Sequence, residues 1–271
     1  MKFFVCADIH SFYTEWIEAL SSKGFDIDNP EHKIIVCGDL FDRGHESVKC
    51  YDFMNKLLKQ NRAVYIRGNH EDLLKNCYIH MFDHMFDYID RHHYSNGTVG
   101  TICDFLRIHP YDLSMYQHRH KKEINQKIGR LVDWIDEYSV DYFELGNFIF
   151  VHGWIPTRLP NNFQEQETAH ENWQDGDWKK ARWDNGMERW YFGFGIPDKT
   201  IVCGHWHTSW GHVHIEKEDC EEFSNEKDVI KKSFRPFIHP GIIALDACTV
   251  HSHFVNCIVI SNESGEWELI E

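Results

Sequence analysis

Gly38-Asp39-Leu40-Phe41-Asp42-Arg43-Gly44 follows directly on an apolar run, Lys-Ile-Ile-Val-Cys, at residues 33–37. Such a run, ending in a glycine-bounded loop with two aspartates and an arginine, reads as a buried strand that delivers charged groups at its C-terminal end. The arrangement recurs on both sides. Residues 2–7 lead into Asp8-Ile9-His10, and residues 63–66 lead into Arg67-Gly68-Asn69-His70-Glu71. Between these strands, residues 13–23 read as a helix that stops at Gly24. Residues 46–60 place Val48, Phe53, Leu57 and Leu58 at helical spacing. The first seventy residues are thus β-α-β-α-β, a sheet covered on both faces with its polar motifs beyond the strand ends, where open α/β folds hold ligands.

Two more strand-then-motif units follow. Residues 147–151 lead into His152-Gly153, and residues 200–203 into Gly204-His205-Trp206-His207. The five motifs together offer carboxylate, amide and imidazole groups, which suit Mn, Fe or Zn rather than a thiolate-loving metal. On an extended segment residues i and i+2 share a side, so His205 and His207 are expected to face the same centre. Arg43 can fork two N–H donors onto a phosphate in a way lysine cannot. His70 adjoins Asn69 in sequence, so the two cannot easily share one ion.

In order and spacing the motifs resemble the calcineurin-like metallophosphoesterase superfamily. Gly38–Gly44 and Arg67–Glu71 are most similar to its phosphoprotein (serine/threonine) phosphatase branch from phages and bacteria and to the diadenosine tetraphosphatase relatives. The likeness covers roughly residues 1–77 and 140–260. Ser11, Trp154 and the Gly-His-Trp-His of the fifth motif depart from that branch, which favours Gly, Gly and Gly-His-Thr there. The resemblance implies an α/β (α+β layered) fold with a β-sandwich core flanked by helices, in one domain over 1–271 with a helical cap inserted at 78–140. It implies hydrolysis of phosphate monoesters by metal-bound hydroxide, with two divalent ions about 3.5–4 Å apart. Manganese is the expected metal, with Fe, Zn or Ni as alternatives. Asp39 would bridge the ions; Asp8, His10 and His207 would hold the first, and Asn69, His152 and His205 the second. His70 would protonate the leaving oxygen, with Asp42 orienting it, unless Asp42 only caps its loop. Arg43 and Asn69 would bind the phosphate. Arg182, just before Trp183, is either the second phosphate arginine or a surface cation.

Substrate choice stays open between a phosphoserine or phosphothreonine protein and a dinucleoside polyphosphate. The latter would use Trp residues at 154, 173, 178, 183, 190 or 206 to stack bases, unless these are core. A net charge of −15 argues against extended nucleic acid, which is bound by clustered cations, so a nuclease is disfavoured. A non-catalytic scaffold is disfavoured too, since no ligand position is lost. The 42% hydrophobic and 15% aromatic content suits a globular domain, and no apolar run approaches the ~20 residues of a membrane span. A cytoplasmic protein is expected. Its nine cysteines lack CxxC spacing and read as reduced thiols.

Residues 78–140 carry His80, His84, His92, His93, His109, His118 and His120 but no metal motif. These histidines read as solvated or packed. Residues 123–138 read as an amphipathic helix with Ile124, Ile128, Leu131 and Ile135 on one face. His212 and His214 read as solvent-facing on a strand, and residues 178–190 as helical. Arg67 and Glu71 are expected to brace their loop.

Overall fold

A computed structural model describes residues 1–83, 91–158, 166–167, 173 and 175–270; His84 lies outside them. The strands are β1 (Lys2–Cys6), β2 (His32–Cys37), β3 (Ala63–Ile66), β4 (Ser139–Val140), β5 (Phe143–Leu145), β6 (Phe148–Phe150), β7 (Thr157–Arg158), β8 (Gln166–Glu167), β9 (Thr200–Cys203), β10 (Phe237–His239), β11 (Ile242–Ala244), β12 (Cys257–Ser261) and β13 (Glu268–Ile270). Apart from the small β7–β8 ribbon they form two sheets, ordered β13-β12-β1-β2-β3-β4 and β10-β11-β9-β6-β5. β1 to β4 run parallel, and so do β6, β9 and β11.

Period-2 alternation sorts the apolar strands into layers. In β1, Phe3 and Val5 face the second sheet and pack with Phe150, Val202 and Ile243. Phe4 and Cys6 face the other way, into helices Tyr13–Ser22 and Ser47–Lys59 through Trp16, Leu20 and Met54. The outer face of the second sheet is covered by Trp154, Trp178 and Met187. The result is the expected sandwich with helices outside. Burying both faces of both sheets is what makes the strand sequences almost wholly apolar.

Ile124, Ile128, Leu131 and Ile135 are all buried, as their spacing predicts, in the same apolar core as β1 and β2. The element is Leu113–Ile124, a wider turn at Asn125–Gly129, then Arg130–Tyr138. Residues 178–190 form parts of two short helices, Asp175–Ala181 and Gly186–Tyr191. All nine cysteines are free thiols, eight of them buried. No helix among the described residues is long and apolar enough to cross a membrane.

One local expectation is corrected. Residues 208–214 are a helix, not a strand. His212 is buried there, with Nδ1 2.6 Å from Glu216 and Nε2 3.0 Å from the Arg235 carbonyl. His214 stacks on Trp210 at 4.7 Å.

Candidate metal centre

Every motif sits just past the C-terminal end of a parallel strand: Asp8 and His10 after β1, Asp39 after β2, Asn69 and His70 after β3, His152 after β6, His205 after β9. Both sheets therefore aim polar groups at one place. The backbone there is strained, with Asp8, His10, Ser11, Asp39, Asp42, Arg43 and His205 all at positive φ. Non-glycine residues avoid this region, and such outliers cluster at functional sites. Ser11, at φ 61, occupies a conformation that glycine would adopt freely. Close approach also explains two motif glycines. A Cβ on Gly68 would stand 2.1 Å from Asp39 Oδ1, and one on Gly204 would stand 2.0 Å from Asp8 Oδ2.

Asp39 is the hub. Its Oδ2 lies 3.7 Å from His10 Nε2 and 3.9 Å from His70 Nε2, and its Oδ1 lies 3.4 Å from His152 Nε2. Among the described residues two groups could each hold a metal ion, His10–Asp39–His70, all buried, and Asp39–His152–His205, with His205 part-buried; Asp39 belongs to both. The imidazoles are set as ligands. His10 Nδ1 is 3.0 Å from the Phe41 carbonyl and His152 Nδ1 is 2.8 Å from the Cys37 carbonyl. A carbonyl only accepts, so each Nδ1 donates and each Nε2 is left facing the centre, as metal-binding histidines are usually held. His152 Nε2 also meets Asn69 Oδ1 at 2.7 Å.

Glu71 holds the loop around Asp39 by accepting from the backbone N–H of Gly68, Asp39 and Leu40. Arg67 braces from outside, pairing with Asp72 and Asp136. Both act as their sequence position suggests. Asp8 accepts from the His205 N–H.

The electrostatics also fit a cation. Burial and the neighbouring Asp246 carboxylate push Asp8 well above the usual carboxylate range. Burial works against charge at Asp39 too, but the His152 and His70 cations outweigh it and hold that carboxyl well below the usual range. Burial alone would lower His152; Asp39 overrides it, and the pKa is held up at about 10. Burial and the His152 charge push His205 down to about 3, leaving it a neutral imidazole. Asp8 and His152, if they held a dication, would bind it as carboxylate and neutral imidazole, so Asp8 would lose its crowding and His152 its proton. Metal loading is therefore expected to release protons and to weaken as pH falls through about 10, where His152 takes up its proton. Calorimetry of Mn²⁺ binding in buffers of different ionisation enthalpy checks this; a heat independent of buffer contradicts it.

Beside Asp39, His70 Nδ1 lies 2.8 Å from Asp42 Oδ2, and Arg43 Nη2 lies 3.3 Å from His70 Nε2. Burial opposes charge on His70, but Asp39 and Asp42 raise its pKa overall. Asp42 is itself fixed by two hydroxyls that the sequence did not flag for this task. Thr101 Oγ1 donates to its Oδ1 at 2.7 Å, and Thr98 Oγ1 to its Oδ2 at 3.0 Å. The i, i+3 spacing of Thr98 and Thr101 on helix Thr98–Leu106 was the available signal. Gly97, at φ 84, lets that helix start against Arg43, where a Cβ would stand 2.1 Å from the Arg43 nitrogen.

His207 and Arg182 stand apart. His205 has φ 69 and the Trp206 N–H bonds back to the Gly204 carbonyl at 2.8 Å, so this segment turns rather than extends. The same-side expectation for His205 and His207 therefore loses its geometric basis. His207 begins helix Thr208–His214, its ring 6.1 Å from Phe234, outside both ligand groups. Arg182 is buried, not a surface cation, and pairs with Asp72 and Asp141. Its Nε has no hydrogen-bond partner. The tryptophans divide. Trp154, Trp173, Trp178 and Trp190 pack in or against the core, whereas Trp183 and Trp206 are 47% and 40% exposed beside the centre.

A profile of the calcineurin-like phosphoesterase family matches residues 1–228. The chain belongs to this family. Among curated relatives, an asymmetrical bis(5'-nucleosyl)-tetraphosphatase PrpE from Anoxybacillus flavithermus is 34% identical over 85 residues, 29% of this chain and 35% of that protein. The Geobacillus thermodenitrificans PrpE is 26% identical over 157 residues, 56% of each chain. This calcineurin-like chain thus spans between a third and just over half of these relatives' length. A solved cold-active protein-tyrosine phosphatase from a psychrophilic Shewanella superposes with a TM-score of 0.51 at 14% identity, covering 100% of this chain and 80% of that one. That likeness is one of fold. Both groups able to hold a metal ion lie within the matched residues 1–228.

Proposed function

We propose that the chain hydrolyses phosphate monoesters at a pair of divalent ions bridged by Asp39. The observation that carries this reading is the placement of Asp39, with one oxygen toward His10 and His70 and the other toward His152. Asp8 and His10 would serve the first ion and Asn69, His152 and His205 the second, with His207 outside both groups. Manganese is the proposed metal, on the hard-to-borderline character of the donors. Such a pair, when bound, would supply an acidified water near neutral pH and positive charge for the phosphoryl oxygens.

The chain's own residues do the rest. Arg43, beside His70, would fork onto two phosphoryl oxygens. Asn69 would be the further donor toward phosphate, whereas Arg182 is held by Asp72 and Asp141. With Nδ1 tied to Asp42, His70 would hold its second proton on Nε2 for the leaving oxygen. No side chain here need be phosphorylated on the way.

Phosphoserine or phosphothreonine in a protein is such a monoester; a dinucleoside polyphosphate would instead be cleaved at a phosphoanhydride, which the same metal pair would also serve. The names of the curated relatives favour the second, and so do the two open indoles. Purified protein treated with a chelator is expected to lose turnover of a phosphopeptide or of diadenosine tetraphosphate and to regain it with Mn²⁺. Undiminished turnover in excess chelator overturns the reading. Comparing the two substrates on the restored protein ranks them.

A further inference from the structure

A cavity of about 570 Å³ opens beside His205, walled by Trp183, Trp206, Trp210, Val213 and His214. We propose that it is a subsite for the nucleobase of a nucleotide phosphoester whose phosphate sits at the metal centre. The inference rests on the phosphoester-hydrolase reading and names its substrate class.

Continuity with the centre comes first. His205 belongs to the Asp39–His152–His205 group and also lines this cavity. Its ring meets the edge of Trp183 at 5.7 Å. From there the cavity follows helix Thr208–His214 to Val213 and His214, roughly 9 Å at 1.5 Å per residue. That setback leaves room for a ribose between phosphate and base.

The walls suit a flat ring. Trp206 and Trp210 stand edge to face, with centroids 6.3 Å apart. Trp183 and Trp206 keep large exposed faces although nothing in the core needs them. Exposed indoles clustered at a catalytic centre are costly in water and available for stacking, to which every base presents a π-face. The volume lies within the ~300–1,000 Å³ of small-ligand pockets, more than a lone phenyl ring requires.

Charge gives the orientation. Among the described residues no lysine or arginine lines this cavity, and Glu222 is its one carboxylate. Ser209 donates to Oε1 of Glu222, and no described residue donates to Oε2. A free carboxylate oxygen repels phosphate but accepts from the amino group of adenine, guanine or cytosine. Phosphate is therefore directed to the metal end and base to the aromatic end. A phosphotyrosine ring offers Glu222 no donor.

Calorimetric binding of adenosine 5′-monophosphate, ribose 5-phosphate and phenyl phosphate to the Mn²⁺-loaded protein, each probe used as its non-hydrolysable phosphonate with CH₂ in place of the ester oxygen, tests this without turnover. Failure of the hydrolase reading is thus seen separately, in the chelator experiment. Adenosine monophosphate is expected to bind at least about fivefold tighter than ribose 5-phosphate, the low end of what one aromatic–base stack contributes. Trp206→Ala should bring that ratio close to one by weakening only the nucleotide, while Trp206→Phe retains most of it. Three results each overturn the proposal: equal binding of the two sugar phosphates by wild type, equal weakening of both by Trp206→Ala, or phenyl phosphate matching the nucleotide.

Discussion

Asp39→Asn is expected to abolish turnover and to strip the protein of metal. Asp39 is the one side chain shared by both candidate ligand groups, and a carboxylate there can place a negative charge between two dications. An amide has the same shape but no charge, and one end of it presents N–H donors. Asp39 Oδ1 already accepts from the His70 backbone N–H at 2.9 Å, so an amide would turn its oxygen there and its NH₂ toward His10. Four imidazoles would then surround a neutral group. Metal content by mass spectrometry and kcat on the same sample check this. Near-normal turnover with two ions still bound would remove Asp39 from the bridge.

His70→Asn is expected to keep both metals and lose about 10²–10⁴ in turnover, the usual worth of a general acid. The loss should be largest for alkyl esters, whose leaving oxygen needs a proton, and should shrink for a nitrophenyl ester. The pH profile adds a second signature. Asp39 and Asp42 together raise the His70 pKa against its burial. Cations on Asp39 would offset its share, leaving the Asp42 hydrogen bond to hold the proton. An acid with a raised pKa stays protonated to higher pH, so wild-type turnover of alkyl esters should fall as pH rises through that pKa. His70→Asn should lack that limb. Equal losses for alkyl and aryl esters, with the limb intact, would show that His70 is not the acid.

Most of this centre was legible because its ligands follow fully buried strands. β1, β2 and β3 read as unbroken apolar runs, and each ends at a motif. Asp8, His10, Asp39, Asn69, His152 and His205 are brought together from positions spread between 8 and 205 because parallel strands of two sheets end side by side. What stayed hidden depended on partners far away in sequence. His212 looked like a strand residue until Glu216 and the Arg235 carbonyl enclosed it within a helix. The turn at His205 needs a left-handed, non-glycine residue, which no spacing rule signals. Thr101 stands in none of the five motifs; only the approach of Asp42 gives its hydroxyl a purpose. The tryptophans could not be divided by sequence, since burial of Trp154 and exposure of Trp206 are both set by tertiary packing.

Titrating metal-free wild-type protein with Mn²⁺ while following turnover tests the binuclear centre most directly. If two ions share Asp39, activity stays low through the first equivalent per chain and rises to its plateau with the second. Full activity at one equivalent, with no further ion bound, would contradict a two-metal site.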